Sequence, residues 1–415
     1  MAAIDTAGPV SGSDRIAELD VLRGIALFGV LTMNFVYFAS EGQLATEAQL
    51  AALPSANLDW WAYNGVRLFI GDKANTVFAT LFGLGFYLQM QRGEGRPGFG
   101  QRYARRLFWL FVFGLLNTYF LWFGDILNLY AVAGVALLAM RRWRTRTLVI
   151  FGSIAALYSH NLQEWLFGLR DFHPIPGWLY QDAAVLERQA VAVSGDYGSI
   201  VTLFAQWTWL EWIAGGMMAA WLVYAIGRFA LGAAIGRSGI LDDIPRFVPL
   251  LRRIAWVALP AGIVAGVAIR LVLDEIVILP GDLETWKAIA QSLRSPAALL
   301  LAAGYCAGIV VALQQGWGKR LFGVFAPVGR MALTKYLAQG LNYAVILFGV
   351  GPGLGLAGRI GSAAVLAICI VFFAFQTMFS RWWLARYRFG PMEWLWRTLT
   401  YGERPPMRRS APHAE

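Results

Sequence analysis

Residues 360–380, IGSAAVLAICIVFFAFQTMFS, run from end to end without one charged side chain. At 1.5 Å per residue such a helix is about 30 Å long, which matches the hydrocarbon core of a bilayer. The segment therefore reads as a transmembrane helix. The next stretch of chain, RWWLARYRFGPMEWLWRTLTYGERPPMRR over 381–409, mixes Trp with Arg. Aromatic rings settle at headgroup depth and Lys and Arg favour the cytoplasmic side, so this stretch marks the inner surface. Pro391 suits the first position of a helix, and Glu393 falls in the first turn, where the helix dipole favours an anion. Residues 381–403 are expected to form an interfacial helix held by anionic lipid, with 404–415 a disordered tail.

Nine further windows of this kind can be read outward from that segment, at 21–40, 73–91, 107–123, 126–140, 147–160, 203–227, 254–273, 295–314 and 331–350. The fold class expected is all-α: a polytopic membrane bundle of about ten transmembrane helices. Composition agrees, with 58% hydrophobic and only 14% charged residues where a soluble domain carries about 25% charged. The 18 Trp, 15 Tyr and 27 Phe suit a chain with two membrane interfaces to populate. The net charge of +10 is spread in short clusters between apolar runs, which excludes a nucleic-acid-binding face. Cys306 and Cys369 lie inside apolar runs and form no disulfide framework.

Ten crossings put alternate connections on alternate sides. With the N-terminus inside, 26 of the 35 Lys and Arg fall on inner segments and 7 on outer ones, leaving Arg270 and Lys335 within spans. That asymmetry predicts both termini in the cytoplasm. Residues 1–14 lack a basic segment followed by an apolar one, so the first helix is expected to stay as an anchor after a disordered tail. The bundle then occupies 15–380, with long outer loops at 41–72 and 161–202, which are lids, substrate surfaces or plain connectors.

Several motifs occur together in order. RIAELDVLRGIALFGVLTMN (15–34), DKANTVFATLFGLG (72–85), WFGDILNLYAVAG (122–134), VGRMALTKYLAQ (328–339) and GPMEWLWRTLTYG (390–402) resemble the YeiB-like family of bacterial membrane proteins. That resemblance implies a location in the bacterial inner membrane. The opening LDVLRG (19–24) is also similar to membrane acyltransferases that modify sugars and cell-envelope polymers, and to the heparan-glucosaminide acetyltransferases. It implies acyl transfer from an inner donor, commonly acetyl-CoA, to an acceptor outside. YeiB-like proteins often read GLLH where this chain has GLLN, so Asn117 stands where a proton acceptor is common, and an amide cannot serve as one.

Ionisable groups inside a membrane are costly, so each asks for a reason. They fall into two layers. The inner layer holds Asp20, Arg23, Arg330, Lys335 and Glu393. Asp20 and Arg23 share a helix face and form either an interfacial ion pair or a phosphate site. Arg330, Lys335 and Gln339 form either a basic stripe for a CoA or lipid phosphate or an inner-leaflet anchor. The outer layer holds Asp72, Lys73, Asn117, Asp125, His160, Glu211 and Arg270. Asp125 is a helix cap or a reacting carboxylate. His160 is the one histidine tied to a span, whereas His173 lies in a loop and His413 in the tail. Catalytic candidates are thus His160, Asp125 and Lys73; donor-binding candidates Arg23, Arg330 and Lys335; acceptor-binding candidates Asn34, Asn117, Glu211 and Arg270. No hydrolase triad, metal spacing, Walker loop or dinucleotide fingerprint can be placed.

Three functions remain open: a membrane acyltransferase using acyl-CoA, a transporter of a small metabolite or lipid, and a non-catalytic membrane partner. Expected partners are membrane lipids and a small-molecule, glycan or lipid acceptor; nothing in the sequence assigns an oligomeric state.

Overall fold

The computed structural model describes residues 16–40, 42–94, 97–168 and 177–409, with the backbone alone for 160–168 and 177. The described residues form helices joined by turns and irregular segments, with an isolated bridge between Tyr387 and Arg408. In chain order the helices are α1 (Ala17–Phe38), α2 (Glu47–Ala51), α3 (Ala56–Phe69), α4 (Gly71–Gly93), α5 (Phe99–Phe120), α6 (Leu127–Ala139), α7 (Thr145–Gly168), α8 (Asp182–Val193) and α9 (Tyr197–Trp207). A π-helical turn over Thr208–Ala214 leads to α10 (Met217–Arg237), α11 (Ile244–Leu273), α12 (Leu283–Leu313), α13 (Gly316–Phe322), α14 (Ala326–Arg330), α15 (Ala332–Leu347), α16 (Ser362–Arg386) and α17 (Pro391–Tyr401).

Five of these, α1, α10, α11, α12 and α16, are long and apolar enough to cross a membrane. The other expected windows fall on α4, α5, α6, α7 and α15. Of these, α6 has 13 residues and is about 20 Å long, short of a full crossing. α1 is the central post: Leu27, Val30, Leu31 and Phe35 are fully buried, and the helix packs on α4, α14, α15 and α16. Its apolar window is 67% buried inside the protein, against 17% for α11. Burial inside the protein explains the apolar character of α1. The apolar surface of α11, with Trp256, Val257 and Val264 exposed, is the kind that contacts lipid.

The segment expected to be one span over 203–227 is broken. α9 and the π turn end at Gly215 and Gly216, where Gly216 takes φ +66, and the apolar helix starts only at Met217. α10 thus lies about ten residues later than its hydropathy window. As a consequence Arg228, which the sequence places among the inner-side cations, lies inside the bundle with no exposure. Its Nε donates to Thr76 Oγ1 at 3.0 Å, one Nη donates to the carbonyls of Ala156 and Tyr224, and the guanidinium lies 3.2 Å from the centre of the Tyr224 ring. The two long connections are also largely helical, containing α2 and α3 in one and α8 and α9 in the other. Arg188 on α8 fastens them together by donating to the carbonyls of Gly42, Gln43 and Leu179.

Small residues let α1 touch α14 backbone to backbone. A Cβ on Gly329 would lie 1.8 Å from the Asp20 carbonyl oxygen, and one on Gly24 would lie 2.2 Å from that of Phe325. Neither neighbour can yield as a flexible side chain would. Gly329→Ala is therefore expected to cost on the order of 3 kcal/mol by overpacking, read as a lower Tm in detergent; an unchanged Tm would mean that the two helices part easily.

Candidate functional site

A cavity of ≈ 400 Å³ lies where α1, α3, α4 and the π turn meet the α11–α12 hairpin. α3 ends at Phe69 and α4 starts at Gly71, so the sharp turn between them brings Arg67 and Lys73 to the same wall. The Lys73 ammonium donates to the Arg67 carbonyl at 3.1 Å, satisfying one of the carbonyls left open at the end of α3. Arg270 and Arg294 project from the hairpin on the opposite side. Arg270 pairs with Asp274, and Arg294 lies 3.5 Å from Asp72. Glu211, on the π turn, accepts from the Tyr180 hydroxyl at 3.0 Å and from Trp207 Nε1 at 2.6 Å.

Four of the candidates read from the sequence, Lys73, Asn34, Glu211 and Arg270, thus line one cavity. Arg67, Arg294 and Asn75 also line it and are missed by sequence reasoning, which takes the two arginines only as topology markers. Asn75 has one visible sign, its place in the motif DKANTVF two residues after Lys73.

Asp125 lies directly behind the floor, since its neighbours Gly124 and Ile126 line the cavity while Asp125 itself is 1% exposed. One carboxylate oxygen accepts from Asn117 Nδ2 at 2.9 Å, and the other from the Leu127 amide at 2.9 Å at the start of α6. The Tyr336 hydroxyl, on α15, accepts from the Ile126 amide at 3.4 Å beside this carboxylate. Asp125 therefore caps α6 and joins it to α5. Asn117 serves as its partner, buried to 1% exposure. The side chain of His160 lies outside the described residues, as do His173 and His413 entirely.

The donor candidates occupy the other end of α1. Arg23 donates to Asp20 at 3.1 Å, and Arg106 lies near enough for the two guanidinium charges to act on each other. Arg330 and Lys335 do not form the expected stripe. The chain bends at Met331 between α14 and α15, and Lys335 and Gln339 turn inward with 4% and 1% exposure. The Lys335 ammonium lies over the Phe379 ring at 4.2 Å. α17 packs across this end against α5 and α15. Its Glu393 accepts from the Thr334 amide at 3.0 Å and the Thr334 hydroxyl at 2.5 Å, and Trp396 stacks on Arg106 at 3.6 Å. Burial pushes the Glu393 carboxyl up from the ordinary glutamate range, and the Thr334 bonds offset this only in part. The cavity lining includes none of Arg23, Arg330 and Lys335.

The fold and these two polar centres define an all-helical protein with membrane-crossing helices and a cation-lined cavity. Two family patterns divide the chain. That of the heparan-alpha-glucosaminide N-acetyltransferase catalytic region matches residues 15–230, and that of a protein of unknown function (DUF418) matches residues 235–403. Over nearly its whole length the chain is similar to the uncharacterized protein YxaH of Bacillus subtilis strain 168, 32% identical over 95% of this chain and 96% of the relative. It is 29% identical to the uncharacterized protein YeiB of Escherichia coli K12 over 93% and 96%. A 39.9 kDa protein from the amylase 3′ region of Bacillus acidopullulyticus is 25% identical over 96% and 97%. The chain belongs to the YeiB-like family. No solved structure matches it. Both polar centres draw on both matched regions: Lys73 and Glu211 face Arg270 and Arg294, and Arg23 shares its end with Arg330 and Lys335.

Proposed function

We propose that this protein is a membrane acyltransferase that moves an acyl group from acyl-CoA to an acceptor held in the cavity. The match of an acetyltransferase catalytic pattern to residues 15–230 carries the reading, because that region supplies α1, Lys73, Asp125 and Glu211. On the positive-inside reading the Arg23 end would face the cytoplasm, with both termini inside and the cavity facing outward across the bacterial inner membrane. Arg23 and Arg330 would receive the CoA phosphates there, whereas Lys335 turns inward over Phe379. Arginine can hold two phosphate oxygens with its planar fork. From Arg23 to Asn34 along α1 is about 16 Å, a distance for the pantetheine arm to cover.

The reaction needs an acceptor hydroxyl or amine to attack the thioester carbonyl. A C–O or C–N bond forms as the C–S bond breaks, the acceptor gives up a proton, and CoA leaves as its thiol. Asp125, behind the cavity floor, would take that proton on its way to the thiolate. Lys73, a fixed cation on the cavity wall, would stabilise negative charge on the bound reactants.

Incubating the reconstituted protein with radiolabelled acetyl-CoA and envelope extract should move label onto an extract component. Arg23→Ala should weaken CoA binding by calorimetry, and Arg23→Lys should restore it only in part. A reversed pair, Asp20→Arg with Arg23→Asp, that binds CoA normally would return Arg23 to a structural role. A second reading, a carrier of a small metabolite or lipid, is favoured by the cavity's lining, which stops short of the Arg23 end. Absence of CoA binding to the unaltered protein would move the weight there.

A further inference from the structure

We propose that the cavity takes an anionic acceptor: an oxyanion such as phosphate, carried on a molecule that also bears a hydroxyl or amine. Four cations share this small space. Asp72 acts most strongly on the Lys73 charge, and Arg294, Arg270 and Arg67 also lie near enough to act on it. Carboxylates offset them incompletely. Asp274 takes up Arg270, Asp72 sits 3.5 Å from Arg294, and Glu211 Oε1 is engaged by Tyr180 and Trp207. Arg67 and Lys73 have no ion-pair partner among the described residues. Like charges gathered in a site of low dielectric repel, and a bound oxyanion removes that repulsion while accepting several charge-assisted hydrogen bonds.

A second observation describes the other end of the ligand. Asn75 lies on the same cavity wall, two residues further along α4, and is 4% exposed. Its Oδ1 has no hydrogen-bond partner among the described residues, and its Nδ2 meets only Met33 Sδ at 3.7 Å. A buried acceptor left open is costly and calls for a donor, which a hydroxyl or amine supplies. Gly124 and Ile126 line the cavity and bracket Asp125. A ligand anchored by its anion on Arg67 and Lys73 would thus present its hydroxyl or amine near Asn75, on the side where Asp125 lies. Its role as acceptor rests on the acyl-transfer reading; the binding does not.

The anion can belong to a soluble metabolite or to a lipid headgroup. Calorimetry on the protein in phosphatidylcholine nanodiscs, without any acyl donor, should show glycerol phosphate binding more tightly than inorganic phosphate and glycerol not binding. Arg67→Gln and Lys73→Met should each weaken both phosphate ligands about tenfold. Asn75→Ala should weaken glycerol phosphate and leave inorganic phosphate unchanged. If the source is lipid, nanodiscs containing phosphatidylglycerol should raise the Tm and compete with glycerol phosphate, and Arg67→Gln should remove both effects. Either source supports the proposal. Glycerol binding as well as glycerol phosphate, failure of both arms, or normal binding by variants with unchanged Tm would overturn it. Acyl transfer without anion binding would remove this inference alone, and anion binding without transfer would remove only the acyltransferase.

Discussion

Asp125→Ala is expected to abolish activity and to leave little folded protein, while Asp125→Asn should fold and still be inactive. The alanine variant strands two donors in the bundle interior, on Asn117 and Leu127. Each unsatisfied donor costs about 1–3 kcal/mol, against a total stability of about 5–15 kcal/mol. The asparagine variant keeps the shape and one acceptor for the Leu127 amide. Its new NH2 can meet Asn117 once that amide flips, because Asn117 Oδ1 has no hydrogen-bond partner among the described residues in the native protein. Thermal unfolding in detergent separates the two variants. Label transfer then tests chemistry, and an Asp125→Asn protein with normal activity would make this carboxylate a cap and nothing more.

Lys73→Ala is expected to lower activity by about 100-fold or more, the effect of removing one fixed charge from a desolvated site. Its structural cost should be small. The ammonium's hydrogen bond to the Arg67 carbonyl is a helix-end contact, and a contact of that sort is worth about 1 kcal/mol. Membrane yield and Tm should therefore stay near those of the native protein while turnover falls. Equal turnover in native and variant proteins would assign Lys73 to anchoring the turn between α3 and α4.

Much of the architecture is legible in composition, and the exceptions have physical causes. Helices α1, α11, α12 and α16 announce themselves as long apolar runs because lipid and the bundle core both demand apolar surface. α10 is displaced from its window because hydropathy averaging runs across Gly215 and Gly216, where backbone freedom and not polarity ends the preceding turn. Arg228 cannot be placed from sequence, since its partners Thr76 and Ala156 come from α4 and α7 and are neutral groups that carry no charge pattern. Lys73, Glu211 and Arg270 stand out because a charge within an apolar run needs a reason. Arg67 and Arg294 do not, because at the ends of spans they look like any interfacial cation. Only the packing of the α11–α12 hairpin against α3 and α4 brings the four cations together.

Transfer from one side of the membrane to the other is tested most directly by a sidedness assay in proteoliposomes. Protein of one orientation, fixed by protease mapping of the connection over residues 238–243 between α10 and α11 and of the loop near Asp196, would receive labelled acetyl-CoA on the Arg23 side, with envelope extract sealed on the cavity side. Label is expected on the sealed acceptor, dependent on Arg23 and Lys73 and absent when the thioester is supplied on the cavity side. Label that stays with CoA from either side, with no CoA binding, would contradict transmembrane acyl transfer.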